Sequence, residues 1–205
     1  MCIRDRIYAI GDYVLTNAAE TVSKWVAEGI VEEPTLWVNV TASELLRTGF
    51  KQRVREVIAA APGVALGVDL VEGPAAVEKT VCDVIRSLAL DDVRASVDGL
   101  GDSYSVLTDL SRLPYDTVKL SRDIVSRIDD DQYSRGAITL LAQLAHRAGL
   151  QVLATGVENG AQLELLRAMG VDAIQGHFAS QPITADEMRT RLVSNEWAGR
   201  GSNSS

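Results

Sequence analysis

The sequence predicts an α/β protein built of serial βα units, either a barrel or a doubly wound parallel sheet, and three observations carry that expectation. Short runs rich in β formers alternate with stretches of helical spacing along most of the chain, as in βαβ modules in series. The strand-like runs are apolar on both sides, as in a parallel sheet covered by helices. No glycine-rich phosphate fingerprint and no G-x-x-x-x-G-K-[ST] follows any of them, which counts against a nucleotide-binding open sheet.

The elements follow in order. Ile7 to Val31 reads as one helix carrying Val14, Leu15, Ala18, Val22, Trp25 and Val26. Leu36 to Val40 is a short apolar strand. Residues 42–61 follow helical spacing and stop at Pro62-Gly63. Val64 to Leu70 is the next strand. Pro74 to Leu90 is a helix with proline in its first turn and Val77, Val81, Val84, Ile85 and Leu88 on one face. Val93 to Val97 is a strand, followed by the turn Gly99-Leu100-Gly101 and a short helix to Leu113, ended by Pro114. Thr117 to Leu120 is a strand. Ser134 to Ala148 is a helix closed by Gly149, Val152 to Ala154 a strand, and Ala161 to Met169 a helix closed by Gly170. Ala173 to Gln175 is a strand. Thr184 to Val193 is the last helix, with Thr184 as N-cap and Glu187 completing a capping box. A βα series should open on a strand and this one opens on a helix, so the expected barrel lacks its first strand or strands. The expected organisation is one barrel domain over 7–195, a leader over 1–6 that matches no element, and a disordered tail over 196–205.

Composition narrows the partners. The net charge is −8, which leaves no broad face able to neutralise a phosphate backbone and argues against a nucleic-acid polymer. A small anionic ligand held by local groups is compatible with it. Cys2 and Cys82 form neither a metal-ligand spacing nor a disulfide framework, so a reducing, cytoplasmic location is expected. No apolar run approaches the ~18 residues of a membrane span. Arg4, Asp5 and Arg6 do not fit a signal peptide.

In βα barrels the site lies where strands end and βα loops begin. The residues there are Asn39, Asp69 with Glu72, Asp98, Lys119, Thr155 with Glu158, and Gln175. One polar residue after a strand is ordinarily a cap or turn former. A polar group at every strand end, with Lys and Gln among them, is harder to account for that way, since neither is a good cap. Oxygen donors from several strands suit a hard divalent cation, and a lysine among them suits phosphate-ester chemistry.

At these residues the sequence resembles the EAL-domain family of cyclic-di-GMP phosphodiesterases. The stretch Val152-Leu153-Ala154-Thr155-Gly156-Val157-Glu158 resembles the family's VVAEGVE, and Ile174-Gln175-Gly176-His177-Phe178 its QGY segment. Val38-Asn39-Val40-Thr41 resembles VNLS, Asp98-Gly99-Leu100-Gly101-Asp102-Ser103-Tyr104-Ser105 resembles DDFGTGYS, and Leu113-Pro114-Tyr115-Asp116-Thr117-Val118-Lys119-Leu120 resembles LPVDYLKID. Asp69-Leu70-Val71-Glu72 is a looser match to EITE, and Ile10-Gly11-Asp12-Tyr13-Val14-Leu15 resembles IGRWVL. Order and spacing agree from Ile7 to Met188.

The resemblance implies a TIM-like barrel of the EAL type that hydrolyses cyclic-di-GMP with Mg²⁺ or Mn²⁺. It implies Asn39, Asp69 and Asp98 as metal ligands, and Lys119 as the group orienting the attacking water. It implies Glu72 as support for the loop after Asp98, with Glu158 and Gln175 supporting the metal and water cluster. It also implies a GGDEF or sensor domain as companion and leaves a homodimer open. The departures qualify the activity. The strand that names the family would precede Ile7. The second Asp of the family's pair is Gly99, the Glu of AEGVE is Thr155, the first Glu of EITE is the shorter Asp69, and the Asp after the lysine strand is Ser121. Two-metal hydrolysis needs ligands for both ions, and glycine and threonine at 99 and 155 supply no carboxylate. The site is therefore expected to be vestigial, and the domain a regulatory module that binds the nucleotide or a protein. An active phosphodiesterase in a longer chain and a barrel scaffold that binds no nucleotide remain as alternatives. Cys82 is expected in the core, His146 at a helix end on the surface, and His177 at the bowl.

Overall fold

The computed structural model describes residues 3–71, 73–100, 110 and 114–194, and for residues 3–7, 73, 74 and 100 the backbone alone. Glu72 and the expected short helix before Pro114 lie outside the described residues. The elements are α1 (Ile3–Ala27), β1 (Thr35–Val40), α2 (Ala42–Leu45), α3 (Phe50–Ala60), β2 (Ala65–Leu70), a 3-10 turn (Gly73–Val77), α4 (Lys79–Ala89) and β3 (Arg94–Leu100). They continue with β4 (Thr117–Leu120), α5 (Arg122–Val125), α6 (Gln132–Arg147), β5 (Gln151–Thr155), α7 (Gly160–Ala168), β6 (Ala173–Gln175) and α8 (Ala185–Ser194).

The strand order decides between the two expected architectures. One sheet runs β1-β2-β3-β4-β5-β6, and β2 through β6 pair in parallel. A doubly wound sheet reverses its order at a switch point. Here each strand lies beside its sequence neighbour, which is the winding of a (βα) barrel. Strands β2 and β4 are buried along nearly their whole length, consistent with a parallel sheet covered on both faces.

The chain divides into two compact units. Residues 37–52 and 66–181 hold most of the sheet. Their core is Val68, Leu70, Val97, Val118, Leu120, Val152 and Ala154 from the strands, with Val81, Ile85, Leu88, Ile138, Ala142 and Leu166 from the helices. Cys82 lies in this core as expected, its Sγ 3.2 Å from the Ala76 carbonyl. Residues 1–36, 53–65 and 182–205 form the other unit, where Leu15, Ala19, Val54, Val57 and Ala61 are buried. Within that unit Arg53 donates to Thr16 Oγ1 at 2.6 Å, and Arg189 Nη2 to Glu28 Oε2 at 2.8 Å.

Several helices differ from the sequence reading, each for a local reason. The first helix starts at Ile3 and stops at Ala27, four residues before Val31. The Ile30 N–H bonds the Trp25 carbonyl and the Gly29 N–H the Val26 carbonyl, a Schellman stop with Gly29 at φ +69°. The expected helix over 42–61 is two. Thr41 and Glu44 form a capping box on the single turn α2, and α3 begins afresh at Phe50. Pro74 opens a 3-10 turn and not α4, because Glu78 is extended (ψ 132°) and restarts the chain as N-cap. Arg122–Val125 adds a turn of helix that the spacing did not reveal. The Thr184–Glu187 capping box is present, with reciprocal bonds of 2.9 and 3.2 Å.

Candidate functional site

Register puts most of the singled-out side chains on one face of the sheet. Asp69 pairs with Ser96 and Ser96 with Thr117. Lys119, two residues on, points the same way as Thr117 and pairs with Leu153. Thr155, two residues beyond Leu153, pairs with Gln175. Period-2 alternation therefore carries Asp69, Ser96, Lys119, Thr155 and Gln175 to a common side. Asp98 follows Ser96 by two residues at a register shift between Val97 and Leu100, and Gly99 has φ +85° there.

At the centre is a buried ion pair. Lys119 Nζ donates to Asp69 Oδ2, with the two residues 9% and 4% exposed. Ser96 Oγ donates to Asp69 Oδ1 at 2.6 Å. Both carboxylate oxygens of Asp69 are thus engaged by protein donors, and the ammonium that would face a phosphate is neutralised. A charge this buried is tolerated only when paired and hydrogen-bonded. Ser96 was missed by reading strand ends alone. Its signal was its position two residues before Asp98 on the same strand.

The other expected residues make contacts of their own or are exposed. Asp98 Oδ1 accepts the Gly99 N–H at 2.8 Å. Thr155 Oγ1 donates to the Leu120 carbonyl at 2.8 Å, joining the ends of β4 and β5. Glu158 is exposed and accepts from Arg122 Nη2 at 2.6 Å. Arg122 was not singled out from the sequence, and its stem lies over Gly156. Gln162 steadies the Glu158 loop: its Oε1 accepts the Glu158 N–H at 2.8 Å and its Nε2 donates to Asp129 at 3.0 Å. Asn39 is exposed between buried Val38 and Val40, and Gln175 and His177 are exposed. His146 is at the end of α6, its Nε2 2.8 Å from Asp172 Oδ2. Tyr115 donates to the Ala76 carbonyl at 3.2 Å. Burial, then the nearby Cys82 thiol, push its hydroxyl above the usual tyrosine range, so it stays a protonated donor.

Among the described residues no group of three or more His, Cys, Asp or Glu is arranged to hold a metal ion. The oxygens of Asp69 are committed, and Gly99 and Thr155 bring no carboxylate. The described donors do not fit a pair of divalent ions.

Residues 4–182 match the family described as the EAL domain. The chain belongs to the EAL-domain family. This EAL domain is 26% identical over 185 residues to the Pseudomonas aeruginosa bifunctional diguanylate cyclase/cyclic di-GMP phosphodiesterase MucR, covering 89% of this chain and 27% of that protein. It is 28% identical over 182 residues to the Escherichia coli oxygen sensor protein DosP, covering 87% of this chain and 23% of that protein. The solved structure of the MucR phosphodiesterase in complex with cyclic-di-GMP superposes with a TM-score of 0.82 at 25% identity, covering 90% of this chain and 76% of that one. The EAL domain of Mycobacterium smegmatis DcpA gives 0.83 at 29% identity, covering 90% and 84%. These likenesses agree with the barrel winding of the sheet. The chain spans about a quarter of the length of the first curated relatives it matches. Among the described residues no helix is long and apolar enough to cross a membrane.

Proposed function

We propose that this EAL domain serves cyclic-di-GMP signalling as a regulatory module that does not hydrolyse the nucleotide. The observation that carries the reading is the commitment of Asp69. Its carboxylate is held by Lys119 and Ser96, so the two groups that would serve ion and water satisfy each other. Two further features support it. Gly99 sits at φ +85°, so a carboxylate there would meet the left-handed region that side chains disfavour. Thr155 uses its hydroxyl to tie β5 to β4, which is a structural use of a position where the family carries a Glu.

On this reading Asn39, Asp69 and Asp98 are the remains of a metal site, and Lys119, Glu158 and Gln175 the remains of the groups around it. Glu72 would belong to the support of the adjoining loop. What the chain retains is a βα-barrel face with an interior charge pair and an Arg122–Glu158 bridge at its rim, which suits recognition by shape and local charge. The likeness to MucR, solved with cyclic-di-GMP, makes that nucleotide the first ligand to test. A GGDEF or sensor domain is the companion that the bifunctional and oxygen-sensing relatives suggest.

The test is titration calorimetry of the protein with cyclic-di-GMP in Mg²⁺ and in excess chelator, alongside chromatography for the linear product. Binding without product is the expected outcome, with affinity below that of a relative whose carboxylates are intact. Product that a chelator abolishes refutes the reading. No binding under either condition moves the assignment to a scaffold that engages protein alone.

A further inference from the structure

Resting on the reading that Asp69 no longer serves an ion, we propose that the Lys119 ammonium is the resident cation of this site. It is a tethered substitute for a divalent ion, and the fold of the domain is therefore independent of Mg²⁺ and Mn²⁺.

The Asp69 carboxylate requires a cation. It is 4% exposed at the end of β2, and a charge so buried is held only by a partner and hydrogen bonds. The sheet delivers both. Asp69 is level with Ser96 and Ser96 with Thr117, and Lys119 lies on the same face two residues along β4. Lys119 Nζ donates to Asp69 Oδ2, and Ser96 Oγ donates to Oδ1 at 2.6 Å. One positive charge meets one negative charge, and a neutral hydroxyl completes the carboxylate without adding a second cation. Arg122, the next residue but two along the chain, is engaged elsewhere: its Nη2 donates to Glu158 at the exposed rim.

An ammonium and a divalent ion compete for these oxygens. An ion on Asp69 would stand within a few ångströms of Nζ, and like charges at that range repel strongly in a buried site. The ion would also have to shed water, which Mg²⁺ gives up reluctantly. The positions where further carboxylates would offset that loss hold Gly99 and Thr155, and the Thr155 hydroxyl donates to the Leu120 carbonyl. The ammonium needs no such ligand set. Tethered to β4, it acts at a fixed effective concentration whatever the ion content of the solution.

Thermal unfolding of the wild-type chain should give one melting temperature in Mg²⁺, in Mn²⁺ and in excess chelator. Mn²⁺ titration followed by electron paramagnetic resonance should give the same weak binding for wild type and Asp69→Asn. Lys119→Ala removes the stem beyond Cβ together with its charge, a fragment with the shape of propylammonium. This variant should bind Mn²⁺ tighter than wild type by roughly tenfold or more, since the like charge is gone. Its lowered melting temperature should rise in propylammonium chloride. Both gains should vanish when Asp69→Asn is added, and either gain alone supports the tethered cation. A wild-type melting temperature that falls in chelator overturns the proposal, as does wild-type Mn²⁺ binding that Asp69→Asn abolishes. These two arms decide the matter even where Lys119→Ala does not fold. A folded Lys119→Ala that gains neither Mn²⁺ nor stability from propylammonium also overturns it. Linear product formed from cyclic-di-GMP would refute the regulatory reading, whereas an Mn²⁺ site at Asp69 without product would refute the tethered cation alone.

Discussion

Removing the Lys119 ammonium while leaving Asp69 in place is the sharpest structural perturbation. Lys119→Met keeps most of the stem volume and deletes the charge. Asp69, 4% exposed, would retain only the Ser96 hydroxyl at 2.6 Å. Breaking a buried pair from one side costs about 3–5 kcal/mol, because the remaining charge is desolvated without compensation. With a urea slope near 2 kcal/mol/M, that moves the unfolding midpoint down by about 1.5–2.5 M. Asp69→Asn together with Lys119→Met leaves no charge behind and should recover most of the loss, since replacing both members of a buried pair is often neutral. The assay is a double-mutant cycle by urea denaturation, followed by circular dichroism. A double variant no more stable than Lys119→Met alone would mean that the two side chains are not coupled, and the commitment of Asp69 would be refuted.

Other outcomes follow from single positions. A Cβ on Gly176 would lie 2.2 Å from the Val157 carbonyl oxygen. Gly176→Ala should therefore destabilise by about 3 kcal/mol, measured by the same unfolding curve, because backbone cannot yield as a side chain can. Gly99→Ala at φ +85° should cost about 1–2 kcal/mol from backbone strain alone. The Asp131 carboxyl is held below its usual range by the Ser134 hydroxyl and the Tyr133 N–H, and that of Glu187 by the Thr184 N–H and hydroxyl. Folded values below the unfolded ones give stability that is present above about pH 4 and lost as pH falls through the folded values. Asp131→Asn with Glu187→Gln should therefore flatten the acid limb of a melting-temperature profile.

The strands were legible because their signal is local. Val38, Val68, Val97, Val118 and Val152 sit in short apolar runs that leave little choice, and the helix stops at Gly149 and Gly170 follow from chain chemistry. What was not legible depends on competition between neighbours. Nothing in the spacing of 42–61 says that the Thr41–Glu44 box closes one turn and that Gly49, at φ +88°, separates it from the next. At the site, the strand-end rule singled out Asp69 and Lys119, which do meet. It could not show that they meet each other. That pairing depends on the register of β2 through β4, and on Ser96, whose hydroxyl donates to the other carboxylate oxygen. Arg122 escaped notice for a related reason: its partner Glu158 is 36 residues away.

Hydrolysis of cyclic-di-GMP by this EAL domain, or its lack, separates an enzyme from a regulatory module. The direct measurement incubates the protein, with any native upstream segment in place, with the nucleotide and Mg²⁺ or Mn²⁺ and follows the linear dinucleotide by chromatography. No product above the protein-free control is expected. Turnover that needs the ion, stops in chelator and disappears in Asp69→Asn would contradict it.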